Sequence, residues 1–199
     1  MKHLDTLRKD KKLTLILSQV QPYKPKKERD LYFRLMKAIC GQQLSVKAAS
    51  TIWNRFLDLF PDRYPHPQLL TEISVEQLRQ AGLSNQKAGY IKGIVQFAQE
   101  NDITYERLTK MTDEEIIEYL TKIKGVGRWT VEMLLMFCLN RKDVFPVDDQ
   151  GIINSMRRLY KLRVKGKALR LKCFKIAEKW RPYRSHACFY LWPYTDLKK

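Results

Sequence analysis

Apolar residues recur along most of the chain at the three- and four-residue spacing of one helix face. The clearest case lies between Thr112 and Ile123, where the apolar positions share a face. Thr112 and Glu115 in front of this run form the pattern of a capping box, which satisfies the first free amides of a helix. The pattern predicts a helix that begins just after Thr112.

Three later segments show the same kind of pattern. Residues 129–139 are nearly all apolar, which predicts a helix that is buried on most sides. An apolar stripe over 169–180 predicts a helix that stops before Pro182, and residues 185–192 predict a short helix ended by Pro193. The alternating valine- and isoleucine-rich runs that are typical of strands are missing. The sequence therefore predicts an all-α fold.

Proline and glycine mark the predicted breaks. Pro22 and Pro25, with the charged stretch between them, separate a basic first helix from the rest of the chain. A proline- and aromatic-rich loop spans residues 60–67, and Gly82 predicts a turn that feeds another helix. At 199 residues, the chain is long enough for one large core or for two small ones around a cleft.

The charge balance favours a polyanionic partner. Lys and Arg number 38 against 21 acidic residues, giving a formal charge of +17 that is spread along the whole chain. Nucleic acid is the leading partner for such a surplus, and solubility alone is the alternative explanation. An anionic membrane fits less well because the chain has no long uncharged apolar stretch.

The cysteines and the amino-terminal segment exclude further classes. No signal peptide is recognisable, since the apolar run at 13–17 is short and lacks a small-residue cleavage pattern. The four cysteines are far apart in apolar contexts, which is typical of reduced, packed thiols. Because no C-x-x-C pair exists, neither a zinc ribbon nor an iron–sulfur cluster is expected.

A glycine-rich turn joins two predicted helices at Lys124-Gly125-Val126-Gly127-Arg128. Gly125 and Gly127 permit a sharp turn with positive φ, and the amides at the start of the next helix favour an anion. Lys124 and Arg128 add positive charge beside it. Taken alone, G-x-G between helices is as typical of a simple turn as of a phosphate-binding hairpin.

A carboxylate follows the hairpin at a suggestive distance, because Asp149 lies twenty residues beyond Trp129. A hairpin that binds a DNA phosphate, followed by a carboxylate, suggests an enzyme that acts on a flipped-out base. The alternative is structural: Asp148 or Asp149 caps the helix that is predicted to begin near Gln150.

Several motifs together resemble the helix-hairpin-helix DNA glycosylases, and most closely the 3-methyladenine DNA glycosylase II group, which removes alkylated bases. The matches span roughly residues 30–195 in the order of that family and are more specific than the hairpin alone. They are AICGQQLS at 38–45, the Gly82-Leu83-Ser84 turn, GVGRWT at 125–130, DVF at 143–145, VDD at 147–149 and WRPYRSHA at 180–187.

The resemblance implies a catalytic role for Asp149, whose carboxylate would stabilise the cationic sugar as the base departs. Relatives that also cut the DNA backbone carry a lysine at the position of Trp129, and that amine forms a Schiff base. Tryptophan cannot do this, so base release without strand cleavage is expected. The chain also lacks the carboxy-terminal cysteine cluster of the endonuclease III branch.

The resemblance also implies a base pocket formed by Trp129, Met133, Gln150 and Trp192. The π-faces of the two tryptophans would favour a cationic methylated base by about 1–2 kcal/mol when desolvated. Met133 stands where relatives can carry tyrosine. For Trp53 and Trp180 we predict plain core packing.

The DNA contacts implied by the resemblance come from two places. The first is the pair Gln42 and Gln43, of which Gln43 is the preferred wedge to fill the gap left by the flipped nucleotide. The alternative is that either glutamine hydrogen-bonds the backbone or the opposite base. The second is the hairpin, which comprises Lys124, Gly125, Val126, Gly127 and Arg128 and is followed by Thr130. The family's hairpin can also bind Na⁺ or K⁺ through backbone carbonyls, which Thr121, Ile123 and Val126 would supply here. No cofactor is expected to be required.

These expectations combine into one prediction. Two helical lobes, residues 30–144 and residues 1–29 with 145–199, would flank an active-site cleft. The expected function is a monofunctional glycosylase that excises alkylated purines from double-stranded DNA, acting as a monomer away from membranes, in the cytoplasm and nucleoid or in a nucleus. The alternatives are a glycosylase for oxidised or deaminated bases and a non-enzymatic helix-hairpin-helix DNA-binding module.

Overall fold

The computed structural model describes residues 2–25 and 28–197, and this part of the chain contains helices and loops but no strand, so the all-α prediction is confirmed. The helices are α1 (Lys2–Leu7), α2 (Lys11–Leu17), α3 (Leu31–Gly41), α4 (Val46–Leu57), α5 (Pro67–Glu72), α6 (Val75–Gln80), α7 (Asn85–Glu100), α8 (Tyr105–Leu108), α9 (Asp113–Leu120), α10 (Arg128–Phe137), α11 (Gln150–Tyr160), α12 (Gly166–Ala177) and α13 (Arg184–Asp196), with a 3₁₀ turn at Glu178–Trp180.

The chain divides into two compact units. One comprises Met1–Lys27 with Leu135–Lys199, and the other comprises Glu28–Leu134. The lobes predicted at 30–144 and at 1–29 with 145–199 remain a prediction. Of the second predicted lobe, residues 1, 26, 27, 198 and 199 lie outside the described residues.

The Glu28–Leu134 unit is built around α7, which packs against α3, α5 and α6. Most of its helices, including α9 as the sequence indicated, start at an aspartate, serine or threonine whose side chain caps the first turn. There the Glu115 amide donates to Thr112 Oγ1 at 3.3 Å, and the Thr112 amide donates to Glu115 Oε2 at 2.7 Å. The predicted turn at Gly82 is also confirmed, with a φ of 102°, and it leads to Ser84, which caps α7.

Trp53 and Trp180 are core residues, as predicted. In the Glu28–Leu134 unit, Trp53 is buried against Phe33 and stacks near Phe56. In the other unit, Trp180 is fully buried and its indole N–H donates to Asp10 Oδ2 at 3.2 Å. Asp10 also caps α2, so this buried carboxylate is held by several donors.

The unit that contains Leu135–Lys199 is formed by α11 packed against α13 and α12, with α2 against α13. The predicted end of the last helix at Pro193 is wrong, because α13 continues through Pro193 to Asp196. Proline removes the amide that would bond to the carbonyl four residues earlier. That carbonyl, on Phe189, instead accepts from the Tyr23 amide at 2.8 Å, so it keeps a hydrogen-bond partner where the helix continues through Pro193.

All four cysteines are buried free thiols. In the described part of the chain, every helix is too short or too polar to cross a bilayer.

Candidate active site and DNA-binding hairpin

The turn before α11 places two consecutive aspartates in different environments. Asp149 is the N-cap of α11, with its Oδ1 accepting from the Ile152 amide at 2.9 Å, and it is only 8% exposed. Asp148 is exposed and pairs with Arg170 at 2.6 Å. The capping role therefore belongs to Asp149 itself, the residue that the resemblance also names as catalytic.

A tryptophan from a distant helix holds the same carboxylate oxygen. Trp192 of α13 donates its indole N–H to Asp149 Oδ1 at 2.9 Å. Gly151 makes this approach possible, because a Cβ there would lie 3.1 Å from Trp192 Cδ1 and 3.2 Å from Asp149 Oδ1. Two donors thus fix the direction of the carboxylate, and a glycine leaves the space that they need.

An aromatic cluster supports Trp192. The ring of Phe137 stacks on Trp192 with centroids 5.5 Å apart, and Phe189 lies 6.1 Å from Trp192. Tyr23 meets Phe137 edge-on at 5.3 Å. The sequence did not single out Phe137 or Gly151 as site residues. A glycine in the first turn of a helix, two residues after the candidate carboxylate, was the available signal for Gly151.

This arrangement suits the stabilisation of positive charge. A buried carboxylate with a fixed orientation does not have to reorganise when a cation develops beside it, which is the basis of electrostatic catalysis. Gln150, predicted as a pocket residue, is exposed, and its Nε2 donates to Asn154 Oδ1 at 2.8 Å along α11.

In the Glu28–Leu134 unit, the two hairpin glycines serve different ends. Gly125 has a φ of 91°, and a Cβ there would lie 2.3 Å from the Tyr90 ring. Gly127 does not adopt the positive φ that glycine permits, and a Cβ there would meet nothing within 4 Å. Gly125 is required by the fold, whereas Gly127 leaves the backbone open to an approaching group.

Arg128 is engaged within the protein. Its guanidinium forms a two-pronged pair with Glu114, at 3.0 and 2.5 Å, and its Nε donates to Glu132 at 3.2 Å. The hydrogen bonds with Glu114 raise the pKa of Arg128, and the same contact lowers the pKa of Glu114. Two carboxylates thus partner the charge that Arg128 brings to the hairpin, and the expected contact of Arg128 with DNA stays a prediction. Lys124 is exposed.

The glutamine pair after α3 is tied to the hairpin through one member. Gln42 Nε2 donates to the Gly125 carbonyl at 3.1 Å, and Lys87 Nζ donates to the Gln42 carbonyl at 2.8 Å. Gln43 is exposed and adopts a φ of 58°. Gln42 thus positions the hairpin. Gln43 lies exposed in a turn that is held by the bonds of Gln42 to Gly125 and of Lys87 to Gln42.

The first turns of α10 carry three predicted site residues. Trp129 is 40% exposed, and Met133 lies four residues later on the same face at intermediate exposure. Thr130 is only 3% exposed. The Thr130 side chain is thus packed inside the protein, and the expected contact of Thr130 with DNA stays a prediction.

The predicted cation ligands lie in the loop that leads into the hairpin. Of the three carbonyls, that of Ile123 accepts from the Val126 amide at 3.0 Å. A carbonyl oxygen has two lone pairs, so this bond leaves acceptor capacity. Thr121 caps the end of α9, with its hydroxyl donating to the Ile117 carbonyl at 2.7 Å.

Residues 36–182 match the family described as HhH-GPD superfamily base excision DNA repair protein. The match covers well over half of the chain, includes both the hairpin and the Asp149 turn, and agrees with the all-helical architecture. The chain belongs to this family.

Several similar proteins carry the name of a 3-methyladenine DNA glycosylase or glycosidase. DNA-3-methyladenine glycosylase 1 of Schizosaccharomyces pombe is 37% identical over 190 residues, covering 94% of this chain and 82% of that protein. The structure of Schizosaccharomyces pombe 3-methyladenine DNA glycosylase Mag1 in complex with abasic DNA superposes with a TM-score of 0.89 at 35% identity, covering 99% of this chain and 98% of that one. A DNA-3-methyladenine glycosidase structure from Bacillus halodurans gives a TM-score of 0.82 at 33% identity, covering 96% and 87%.

Proposed function

We propose that this protein is a monofunctional DNA glycosylase that excises alkylated purines of the 3-methyladenine type from double-stranded DNA and leaves an abasic site. The observation that carries the proposal is the Asp149 carboxylate, buried at the start of α11 and oriented by the Ile152 amide and the Trp192 indole. The family and the names of its relatives support the same activity.

The proposed reaction breaks the bond between the sugar and the base. An alkylated purine already carries positive charge, so it departs with little need for acid catalysis. The sugar becomes oxocarbenium-like, the Asp149 carboxylate stabilises that charge, and water adds to the sugar carbon and loses a proton. Trp129 and Trp192 would offer π-faces to the cationic base, with Met133 and Gln150 beside it.

Trp129 also argues against strand cleavage. Schiff-base chemistry needs an amine that attacks the sugar, and the indole of Trp129 has no such nucleophile. We expect borohydride treatment of the protein with an abasic duplex to trap no covalent adduct. A strong adduct would contradict the monofunctional assignment.

Asp149→Asn tests the catalytic role with little structural change. Asparagine is a good N-cap and its oxygen can still accept from the Ile152 amide and from Trp192, so the substitution removes mainly the charge. We expect release of bases from methylated DNA to fall at least a hundredfold while DNA affinity is retained.

Asp148→Asn is the matched control, because it removes an adjacent carboxylate that is exposed and paired with Arg170. It should leave base release within about twofold, since exposed ion pairs contribute little. Normal release by Asp149→Asn would remove Asp149 from the mechanism. Mass spectrometry of the liberated bases separates the proposal from its alternatives: oxidised or deaminated bases would indicate another glycosylase, and no release by the wild type would indicate a binding module.

Two finer assignments belong to the same proposal. The carbonyls of Thr121, Ile123 and Val126 would ligate Na⁺ or K⁺ beside a DNA phosphate, which predicts tighter DNA binding in KCl than in a tetraalkylammonium salt of equal ionic strength. We also propose that the protein acts in the compartment that holds the genome, either the nucleoid or the nucleus.

A further inference from the structure

One stretch of the chain is far more basic than the rest. Residues 157–175 run from the last turn of α11 into α12 and carry nine Lys and Arg but no acidic residue. This stretch holds nine of the chain's 38 basic residues in about a tenth of its length. Like charges at such density repel one another and destabilise a compact fold, so the cluster calls for a function beyond packing.

The basic side chains line two grooves that meet at Arg157. One groove, of about 330 Å³, is lined by residues that include Gln150, Lys165 and Arg170. The second, of about 520 Å³, is lined by residues that include Lys161 and Arg163. We call this surface, formed by Arg157, Lys161, Arg163, Lys165 and Arg170, the α11–α12 track.

The charges of the track are largely available to a ligand. Arg158, next to it in sequence, has a structural role, since it donates to the Leu197 and Tyr194 carbonyls and lies over the Tyr194 ring. The side chains of the track are instead exposed, and the acidic residue that lines either groove is Asp148, whose partner is Arg170. Exposed ion pairs of this kind are weak and can exchange partners.

The track begins beside the Asp149 turn. Asp148 and Gln150, the two sequence neighbours of Asp149, both line the first groove. The track takes Arg157 from the last turn of α11 and its other four residues from the following loop and α12. From Gln150 to Arg157 the helix rises about 10 Å. One strand of B-DNA places a phosphate about every 3.4 Å along its axis, so this rise matches about three phosphate intervals.

We propose that the α11–α12 track binds the phosphate backbone of the DNA that flanks the damaged nucleotide. It is a contact surface separate from the hairpin and the Gln42–Gln43 turn, and it rests on the proposed function in taking damaged DNA as the partner. Lys and Arg on a groove bind phosphates without reading sequence, so the track would add affinity and position the duplex.

The triple variant Lys161→Gln, Arg163→Gln and Lys165→Gln removes three exposed charges of the track and tests it on the whole chain. The matched control is Arg55→Gln, Arg79→Gln and Lys110→Gln, which removes the same charge from exposed positions in the Glu28–Leu134 unit. Affinity for an undamaged duplex is measured by fluorescence anisotropy over a range of salt concentrations. Each phosphate contact contributes about 0.9 to the slope of log affinity against log salt.

We expect the track variant to lower this slope by about 2–3, and to weaken binding at least tenfold at physiological salt, with the control close to wild type. Equal losses in both triples would mean that only net charge acts and would overturn the proposal, as would no loss in either. Tighter binding of the wild type to phosphatidylserine vesicles than to DNA, abolished in the track variant, would assign the surface to membranes instead.

Two further measurements keep these results interpretable. Thermal unfolding of both triples checks that they fold, and Arg157→Gln alone provides a milder variant that should lower the slope by about 1. Because the binding assay uses undamaged DNA, it does not depend on catalysis. Failure of the glycosylase proposal would appear as absent base release by the wild type, whereas failure of the track would appear as unchanged binding.

Discussion

The hairpin at 121–128 and the turn at 146–152 differ in what they expose: the hairpin exposes backbone, whereas the turn encloses a charged side chain. In the turn, a charged side chain is enclosed: Asp149 is buried and two donors share its Oδ1. In the hairpin, the backbone is left open at Gly127, and the charge of Arg128 is compensated by Glu114 and Glu132. Chemistry on a base needs a fixed side chain, whereas a phosphate contact needs accessible amides.

The difference also shows where each region tolerates change. The turn depends on contacts between residues far apart in sequence, so a small displacement of Trp192 or Gly151 alters the candidate catalyst. The hairpin depends on one position that only glycine fits, Gly125, and on the hydrogen bond from Gln42 to the Gly125 carbonyl. We therefore expect substitutions in the two regions to separate stability, binding and catalysis.

The largest expected effect on stability comes from a substitution at Gly125 in the hairpin. Gly125→Ala places a methyl group within 2.3 Å of the Tyr90 ring at a positive φ. We expect the free energy of unfolding, measured by urea denaturation, to fall by roughly 2–4 kcal/mol.

Gly127→Ala is the matched control for stability. Its methyl group meets no protein atom within 4 Å, so the free energy of unfolding should change by less than about 1 kcal/mol. Its DNA affinity should nevertheless fall, because the methyl group would stand where a phosphate approaches. Similar losses of stability in both variants would refute the distinction between the two glycines.

Trp192→Phe tests the enclosure of the carboxylate. It keeps an aromatic ring beside Phe137 but removes the donor to Asp149. A hydrogen bond to a charged group is worth about 1.5–3 kcal/mol, so we expect single-turnover base release to slow by about 10- to 100-fold.

Trp180→Phe is the control, since it removes an indole donor from a different buried carboxylate, Asp10. It should lower the free energy of unfolding without slowing base release by the folded protein. Unchanged release by Trp192→Phe, with the protein folded, would show that the indole does not position Asp149.

Glu114→Gln should increase DNA affinity, whereas Gly127→Ala should lower it. Removing one partner of Arg128 makes its charge available at the hairpin, so affinity should rise a few-fold and the salt slope should steepen by up to about 1. Glu76→Gln, which breaks the similar exposed pair with Arg79, is the control and should change neither. Weaker binding by Glu114→Gln would mean that the pair orders the hairpin for DNA.

The smallest expected effect is a pH dependence of stability. The hydrogen bond from Arg128 lowers the pKa of Glu114 below its usual 4.5. The stabilisation is therefore fully present above pH 4.5 and is lost as the pH falls through the lowered pKa. In urea denaturation at a series of pH values, any stability advantage of the wild type over Glu114→Gln should shrink below pH 4.5. A constant difference would exclude this linkage.

Local patterns carried most of the helix predictions. The capping box at Thr112 and the turn at Gly82 depend on residues within a few positions of each other, and both were confirmed. The predicted helix end at Pro193 was wrong because the Phe189 carbonyl, to which proline cannot donate, accepts from the Tyr23 amide, more than 160 residues away. Propensity alone cannot show such a partner.

The sequence predicted individual residues of the site but not the hydrogen bonds and ion pairs between them. The family pattern named Asp149 and Trp192, but the hydrogen bond between them spans 43 residues and depends on the packing of α11 against α13. Gln42 was considered as a DNA contact, and the structure gives it a bond to the Gly125 carbonyl, 83 residues away. The charge of Arg128 beside the hairpin was predicted, but its pairing with Glu114, which lies in a different helix, was not.

The burial of the cysteines bears on survival during alkylating stress. Methylating agents attack thiolates as well as DNA bases, and a thiolate forms readily only where the pKa is low. Burial raises the pKa of Cys40 to about 12 and that of Cys173 to about 11. These sulfurs thus remain protonated and shielded from solvent, which would keep the protein intact in the same chemical conditions that create its proposed substrate.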